Sequence, residues 1–286
     1  MFLRCLLVPT APGIDVTRRL SAALRLGQRL HAHIDVSFMA PGPEHVLAAM
    51  ERLMPLGRVT IEAIERSVRE AAMEGEEALR RWCEREGVPY ASSAGRLDAT
   101  FVTWTELSGE VEPLLALAGR VSDLVIVDRP DPRVPFTGRA LDTALFSVGR
   151  PTLMVGETVP YDLLDHVVIA WNGSLEATRL IGQCITLLHE AARVTVVHAR
   201  TERFEEVRSA DLCAYLRWHG VVAEAVTPAV GDETSVGAAI LAEAERQHAS
   251  MLALGAYTHS RVREFLLGGV TRHVIEQARI PVLMAH

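Results

Sequence analysis

Short apolar runs alternate along this chain with longer segments whose apolar residues recur every three to four positions. The first kind reads as buried strand and the second as amphipathic helix. Residues 5–8 are the first run. Over 15–30, Leu20, Ala23, Leu24 and Gly27 fall on one face and predict the first helix. Residues 34–39 are a second strand, and Pro41-Gly42-Pro43 then breaks the chain. The pattern next predicts a charge-rich helix over 59–86, a third strand within 90–104 and a helix over 110–119. A strand over 124–127, a crossover over 134–148 and a strand over 152–155 follow. The order then starts again: strand 167–170, helix 175–189, strand 194–198, helix 204–219, strand 222–226, helix 235–248 and strand 251–254. After Gly268-Gly269, Val270, Val274, Ile275 and Ala278 fall at helical spacing, and 281–284 is the last strand. Strands that alternate with helices need crossover connections, so the expected fold is α/β, a parallel sheet covered on both faces.

The restart is more than a repeated order. With a shift of 161 residues, Arg4–Gly13 lies on Asp165–Ser174 and Thr17-Arg18 on Thr178-Arg179. Asp123–Asp128 lies on Ser250–Gly255, and Arg150–Val155 on Ile280–Ala285. The chain therefore reads as two copies of one domain, residues 1–158 and 159–286, each expected to form a five-stranded parallel sheet. The first copy carries an insertion near 40–75.

Charge narrows the partners. There are 29 basic against 36 acidic residues and a net charge of −7, which argues against a nucleic-acid or anionic-membrane surface. No apolar run approaches the length of a membrane span. The apolar part of Met1–Pro9 is too short for a signal peptide and reads as the first strand. Cys5, Cys83, Cys184 and Cys213 form no CxxC pair, so buried, reduced thiols in a cytoplasmic protein are expected.

Two stretches of the second copy can carry chemistry. One is the turn Ala170-Trp171-Asn172-Gly173-Ser174. Asn172 can hold a ligand hydroxyl or base edge; equally, Asn-Gly-Ser is ordinary turn chemistry and Ser174 can cap the following helix. The other runs from Gly255 through Thr258 to Gly268, Gly269 and Thr271. Glycines let backbone approach a phosphate, with the Thr271 hydroxyl and Arg261 or Arg263 beside it; equally, they can simply fit a tight loop-to-helix turn. In the first copy Ala11 and Asp128 stand where the second has Asn172 and Gly255, and there is no glycine pair.

These residues resemble the universal stress protein family. Its members close with Gly-x2-Gly-x9-Gly-(Ser/Thr) between their fourth and fifth strands. Gly255-x2-Thr258-x9-Gly268-Gly269 keeps that spacing. Thr258 replaces the second glycine and Gly269 the final Ser/Thr, with Thr271 two residues on. Asn172 stands where nucleotide-binding members carry an Asp. The resemblance implies a tandem, cytoplasmic stress-response protein that binds ATP or a related adenine nucleotide, with Mg2+ as a companion, in its second copy only. The implied site is Ala170, Asn172, Ser174, His198, Gly255, Thr258, Gly268, Gly269 and Thr271. It also implies that the fifth strands of the two copies pair inside the chain, leaving other surfaces for any homodimer.

Other signals are thinner. His31-x-His33 has metal-ligand chemistry but sits at a helix-to-strand junction. His189-Glu-Ala-Ala-Arg193 lacks the second histidine of a zinc-protease helix. There is no Walker A sequence, no GxGxxG after a strand and no GxSxG elbow. No catalytic set can be assembled from spacing. The alternatives to nucleotide binding are a protein that acts through protein contacts alone and a nucleotide-hydrolysing enzyme.

Overall fold

The structure, a computed structural model, describes residues 3–42, 58–92, 99–198, 208–228, 235–256 and 269–286. Ten strands form one continuous sheet. They are β1 Cys5–Thr10, β2 His33–Ala40, β3 Val102–Ser108, β4 Leu124–Asp128, β5 Thr152–Val155, β6 His166–Ala170, β7 Arg193–Val197, β8 Ala223–Val226, β9 Met251–Gly255 and β10 Val282–Ala285. The helices are α1 Thr17–Leu30, α2 Arg58–Glu86, α3 Val111–Arg120, α4 Pro135–Thr143, α5 Leu175–Glu190, α6 Ser209–Trp218, α7 Val236–Arg246 and α8 Gly269–Gln277. A π-helical turn, Ala144–Val148, continues α4.

The strand order is β3-β2-β1-β4-β5-β10-β9-β6-β7-β8. Read outward from the centre, the two halves have the same order. Every described pairing is parallel except the central one, where β5 and β10 run antiparallel with Val282 opposite Met154 and Leu283 opposite Leu153. This is the internal pairing of fifth strands that the sequence led us to expect. β4, β5, β6 and β10 are buried along their whole length. That is why they appear in the sequence as unbroken apolar runs, without polar alternation.

Helices cover both faces. Leu20, Leu24, Leu79 and Trp82 share one core layer with Leu180, Ile181, Leu212 and Leu216. Leu115, Leu141, Ile240, Val274 and Ile275 share the other. So α1, α2, α5 and α6 lie on one face, and α3, α4, α7 and α8 on the other. The halves are also tied at their junction. Arg25 Nη1 donates to the carbonyls of Val159 (2.5 Å) and Pro160, and Arg29 meets both Asp162 (2.8 Å) and the Glu190 carbonyl.

Two expectations change. The third strand is Val102–Ser108, later than the window placed for it; near Tyr90 there is only an isolated bridge to Val102. The crossover over 134–148 is α4 plus a π turn that no residue pattern announced. The extra length of the N-terminal half shows in α2, 29 residues and so about 43 Å long. Gly75 faces the Trp104 ring: an added Cβ would lie 2.9 Å from its Cη2, so any larger residue would make the indole shift. Cys83, Cys184 and Cys213 are buried free thiols and Cys5 is half-buried. Burial pushes the Cys184 thiol up to about 12.

Candidate functional site

The carboxyl ends of β6 and β9 meet the amino end of α5, and most of the described candidates lie there. Ala170 is the buried last residue of β6, opposite Leu254. The chain then turns. Asn172 Oδ1 accepts from the Ser174 backbone N–H at 3.1 Å, Gly173 takes a positive φ of 69°, and Ser174 Oγ caps α5 by accepting from Ala177 N–H at 3.1 Å. Both polar side chains of this turn therefore have a structural duty. Among the described residues nothing takes up the Asn172 NH2, which can only donate.

His198 follows β7 and is buried, not solvated. Its Nδ1 lies 2.9 Å from the Trp171 carbonyl. A carbonyl can only accept, so the ring proton is on Nδ1. The histidine braces the turn from below, while Trp171 N–H donates to the Val197 carbonyl.

Gly255 has a packing reason to be glycine. A Cβ there would run into the backbone of α5, 2.9 Å from the Ala177 Cα and also from the Glu176 carbonyl carbon. Gly269 differs: it opens α8, and an added Cβ would meet nothing within 4 Å. The first amides of a helix have no intrahelical partner. Thr271 is buried. Thr258, Gly268, Arg261 and Arg263 lie outside the described residues.

The corresponding place in the N-terminal half is filled. Asp128 occupies the Gly255 position, with Oδ2 2.7 Å from Nε of Arg19, whose side chain is 1% exposed. The pair is close but not aligned as a hydrogen bond. The other guanidinium nitrogens donate to the carbonyls of Pro9 and Asp15, the latter at 2.9 Å. Arg18 Nη2 approaches the same carboxylate at 3.9 Å. Burial pushes the Asp128 carboxyl up and the Arg19 guanidinium down, each partly opposed by the other's charge. Sequence reasoning noticed Asp128 but missed Arg19. The signal was available: in the 161-residue register Arg19 lies on the core residue Leu180, so an arginine and an aspartate replace a leucine and a glycine together.

The histidine pair does not converge. His31 is exposed and caps α1 with a positive φ of 52°, while His33 Nε2 lies 2.8 Å from Thr103 Oγ1. Among the described residues no group of three or more His, Cys, Asp or Glu is placed to hold a metal.

This architecture belongs to a known class. Residues 164–286 match the model of the universal stress protein family, and the C-terminal half of the chain belongs to that family. A universal stress protein from Archaeoglobus fulgidus superposes with a TM-score of 0.71 at 15% identity, covering 100% of this chain and 99% of its own. A Pseudomonas aeruginosa protein assigned to the same family superposes with a TM-score of 0.56 at 14% identity, covering 99% and 93%. At such identities the likeness shows the fold, here over the whole chain. Compared directly by sequence, no curated protein matches. Among the described residues no helix is long and apolar enough to cross a membrane.

Proposed function

We propose that the chain is a cytoplasmic, tandem stress-response protein, with repeats over 1–158 and 159–286, that binds one adenine nucleotide, ATP or a relative, in its C-terminal half. The observation that carries this reading is Gly269 at the start of α8, where an added Cβ would meet nothing within 4 Å, set in a half that belongs to the universal stress protein family. The residues fit such a ligand. Amides at the start of α8 suit phosphate, and the Asn172 NH2 suits a ribose or base acceptor. Thr258 and Gly268 join the proposed site through the family spacing. A Mg2+ brought with the nucleotide would rest on its phosphates and on water. The N-terminal half does not take part, because Arg19 and Asp128 fill the matching place. Denaturing freshly purified protein and identifying any released nucleotide by mass spectrometry tests the reading. An adenine nucleotide near one per chain is expected; protein that neither carries nor takes up adenine nucleotide contradicts it.

One observation favours a second reading, in which the chain works through protein contacts alone. Asn172 and Gly255 both have complete structural explanations. Under that reading neither ATP nor AMP changes the thermal midpoint at millimolar concentration.

A further inference from the structure

The N-terminal half, to which the nucleotide reading gives no ligand, holds a cavity of about 600 Å³. That volume is in the range of small-molecule sites. The cavity lies between the start of α1 and residues 71–85 of α2, over Phe38 of β2 and Trp104 of β3. Its inner surface is apolar: Leu20, Phe38, Leu79 and Trp82 line it and are all buried.

The matching helix of the C-terminal half is built differently. α2 and α6 end in the same turn. Gly87 and Gly220 take positive φ of 66° and 77°. Val88 and Val221 each donate at 3.0 Å to the carbonyl five residues back, those of Cys83 and Leu216. Counted back from the two glycines, Gly75, Ala78 and Trp82 stand at the places of Arg208, Asp211 and Tyr215. Where α6 presents two charged side chains, α2 presents none. The aromatic residue in the third place is 4% exposed as Trp82 and 45% exposed as Tyr215. A roomy apolar wall is therefore particular to the N-terminal half.

That wall contains an unused donor. Trp104 Nε1 donates to Glu106 Oε1 at 3.3 Å, but among the described residues the Trp82 indole N–H has no acceptor. This nitrogen is not sealed from solvent, and the open space that Trp82 lines is this cavity. A donor so placed is satisfied by water or by an acceptor on a ligand. The charged lining residues are occupied or solvated. Asp15 accepts from the Thr17 N–H and O–H at 2.9 and 2.7 Å, Arg81 meets Glu77 at 2.5 Å, and Glu74 and Arg85 are exposed. A charge carried into the apolar interior would find no partner there, which is costly. Phe38 and Trp104 stack with ring centroids 5.4 Å apart and planes 28° from parallel, so the wall they form is flat and aromatic.

We propose that this cleft is a ligand site for a small, uncharged, planar aromatic molecule that carries a hydrogen-bond acceptor. Its ring packs among Leu20, Phe38, Leu79 and Trp104, and its acceptor takes the Trp82 N–H. Apolar contact supplies the attraction, and the single donor supplies orientation and selection.

The test is equilibrium dialysis of the full chain against three probes. Coumarin is a planar lactone with a carbonyl acceptor, naphthalene has no acceptor, and coumarin-3-carboxylate adds a charge. Saturable binding of coumarin is expected, with the other two weaker by about fivefold or more, as for loss of one neutral hydrogen bond or burial of a charge. Trp82→Phe keeps a ring and removes the donor, so in that variant coumarin should bind no better than naphthalene. Ala78→Leu adds bulk to the cavity wall at an exposed helix position. It should leave the thermal midpoint in place and block coumarin. Saturating ATP should not displace coumarin. The proposal is overturned by absence of saturable binding up to millimolar coumarin, by naphthalene or the carboxylate binding as tightly, by a preference for coumarin that survives in Trp82→Phe, by undiminished binding in Ala78→Leu, or by displacement with ATP. None of these outcomes requires ATP itself to bind, so this site and the nucleotide reading fail separately.

Discussion

Arg19 and Asp128 meet at 2.7 Å inside the N-terminal half, at the place where the C-terminal half brings Gly255 against Ala177. Two related positions thus solve one packing problem in opposite ways, one with a buried ion pair and one with bare backbone contact. Removing a single member of a buried pair leaves an uncompensated charge, which typically costs about 3–5 kcal/mol. Asp128→Asn should lower stability by that order in urea unfolding. The double change Arg19→Leu with Asp128→Gly installs the residues of the other half and should recover most of the loss. A single variant as stable as the parent would show that the pair carries no such role.

Two histidines contribute to the pH dependence of stability. His33 and His166 both have pKa values below the usual 6.5, chiefly because burial disfavours the charged ring. The nearby Asp35 opposes the shift at His33; at His166 the hydrogen bond to the Gln247 carbonyl opposes it and the Arg193 guanidinium adds to it. His166 Nδ1 lies 2.7 Å from Arg193 Nη2 and 2.9 Å from the Gln247 carbonyl, and its Nε2 lies 2.9 Å from Thr195 Oγ1. As pH falls below about 6.5 the unfolded chain takes up protons that the folded chain refuses. The stability these rings contribute is therefore present above that pH and lost as pH falls toward the folded values. The urea midpoint should drop between pH 8 and pH 5.5, and His166→Gln should flatten the drop. A midpoint with the same pH slope in that variant would exclude His166 as a source.

Gly255 and Gly269 separate packing from binding. Gly255→Ala forces a methyl into the α5 backbone and should destabilise the fold strongly, visible as a lowered thermal midpoint. Gly269→Ala meets open space and should leave the midpoint within about 1 kcal/mol equivalent. The same substitution narrows the approach to the α8 amides and should weaken ATP. Unequal thermal shifts in the reverse order would mean the two glycines have been assigned the wrong roles.

β10 is an interior strand, bonded to β9 on one side and β5 on the other. Deleting residues 282–286 should therefore split the sheet and expose the apolar edge of Thr152–Val155, giving aggregation in light scattering. A soluble, monodisperse truncated protein of unchanged stability would contradict the continuous sheet.

Most of the fold was legible because its signals are local. The unbroken apolar runs of β4, β6, β9 and β10 and the 161-residue register of the two halves placed nine of the ten strands within a residue or two. The third strand was misplaced because Tyr90 and Val102 both read as strand residues, and only the pairing with Ile34 and its neighbours selects 102–108. The candidate site was only half legible. The Asn172 turn and Gly255 were found from spacing, but their local duties emerge only once α5 is seen packed against β9. Arg19 was missed because a helix-face pattern treats an arginine as solvent-facing by default.

The central claim is one adenine nucleotide per chain, held in the C-terminal half. Calorimetric titration of the full chain with ATP measures it directly, in the parent and in Gly269→Val. The account predicts a stoichiometry near one in the parent and loss of binding in the variant with an unchanged thermal midpoint. Two nucleotides per chain, or undiminished binding in Gly269→Val, would contradict it.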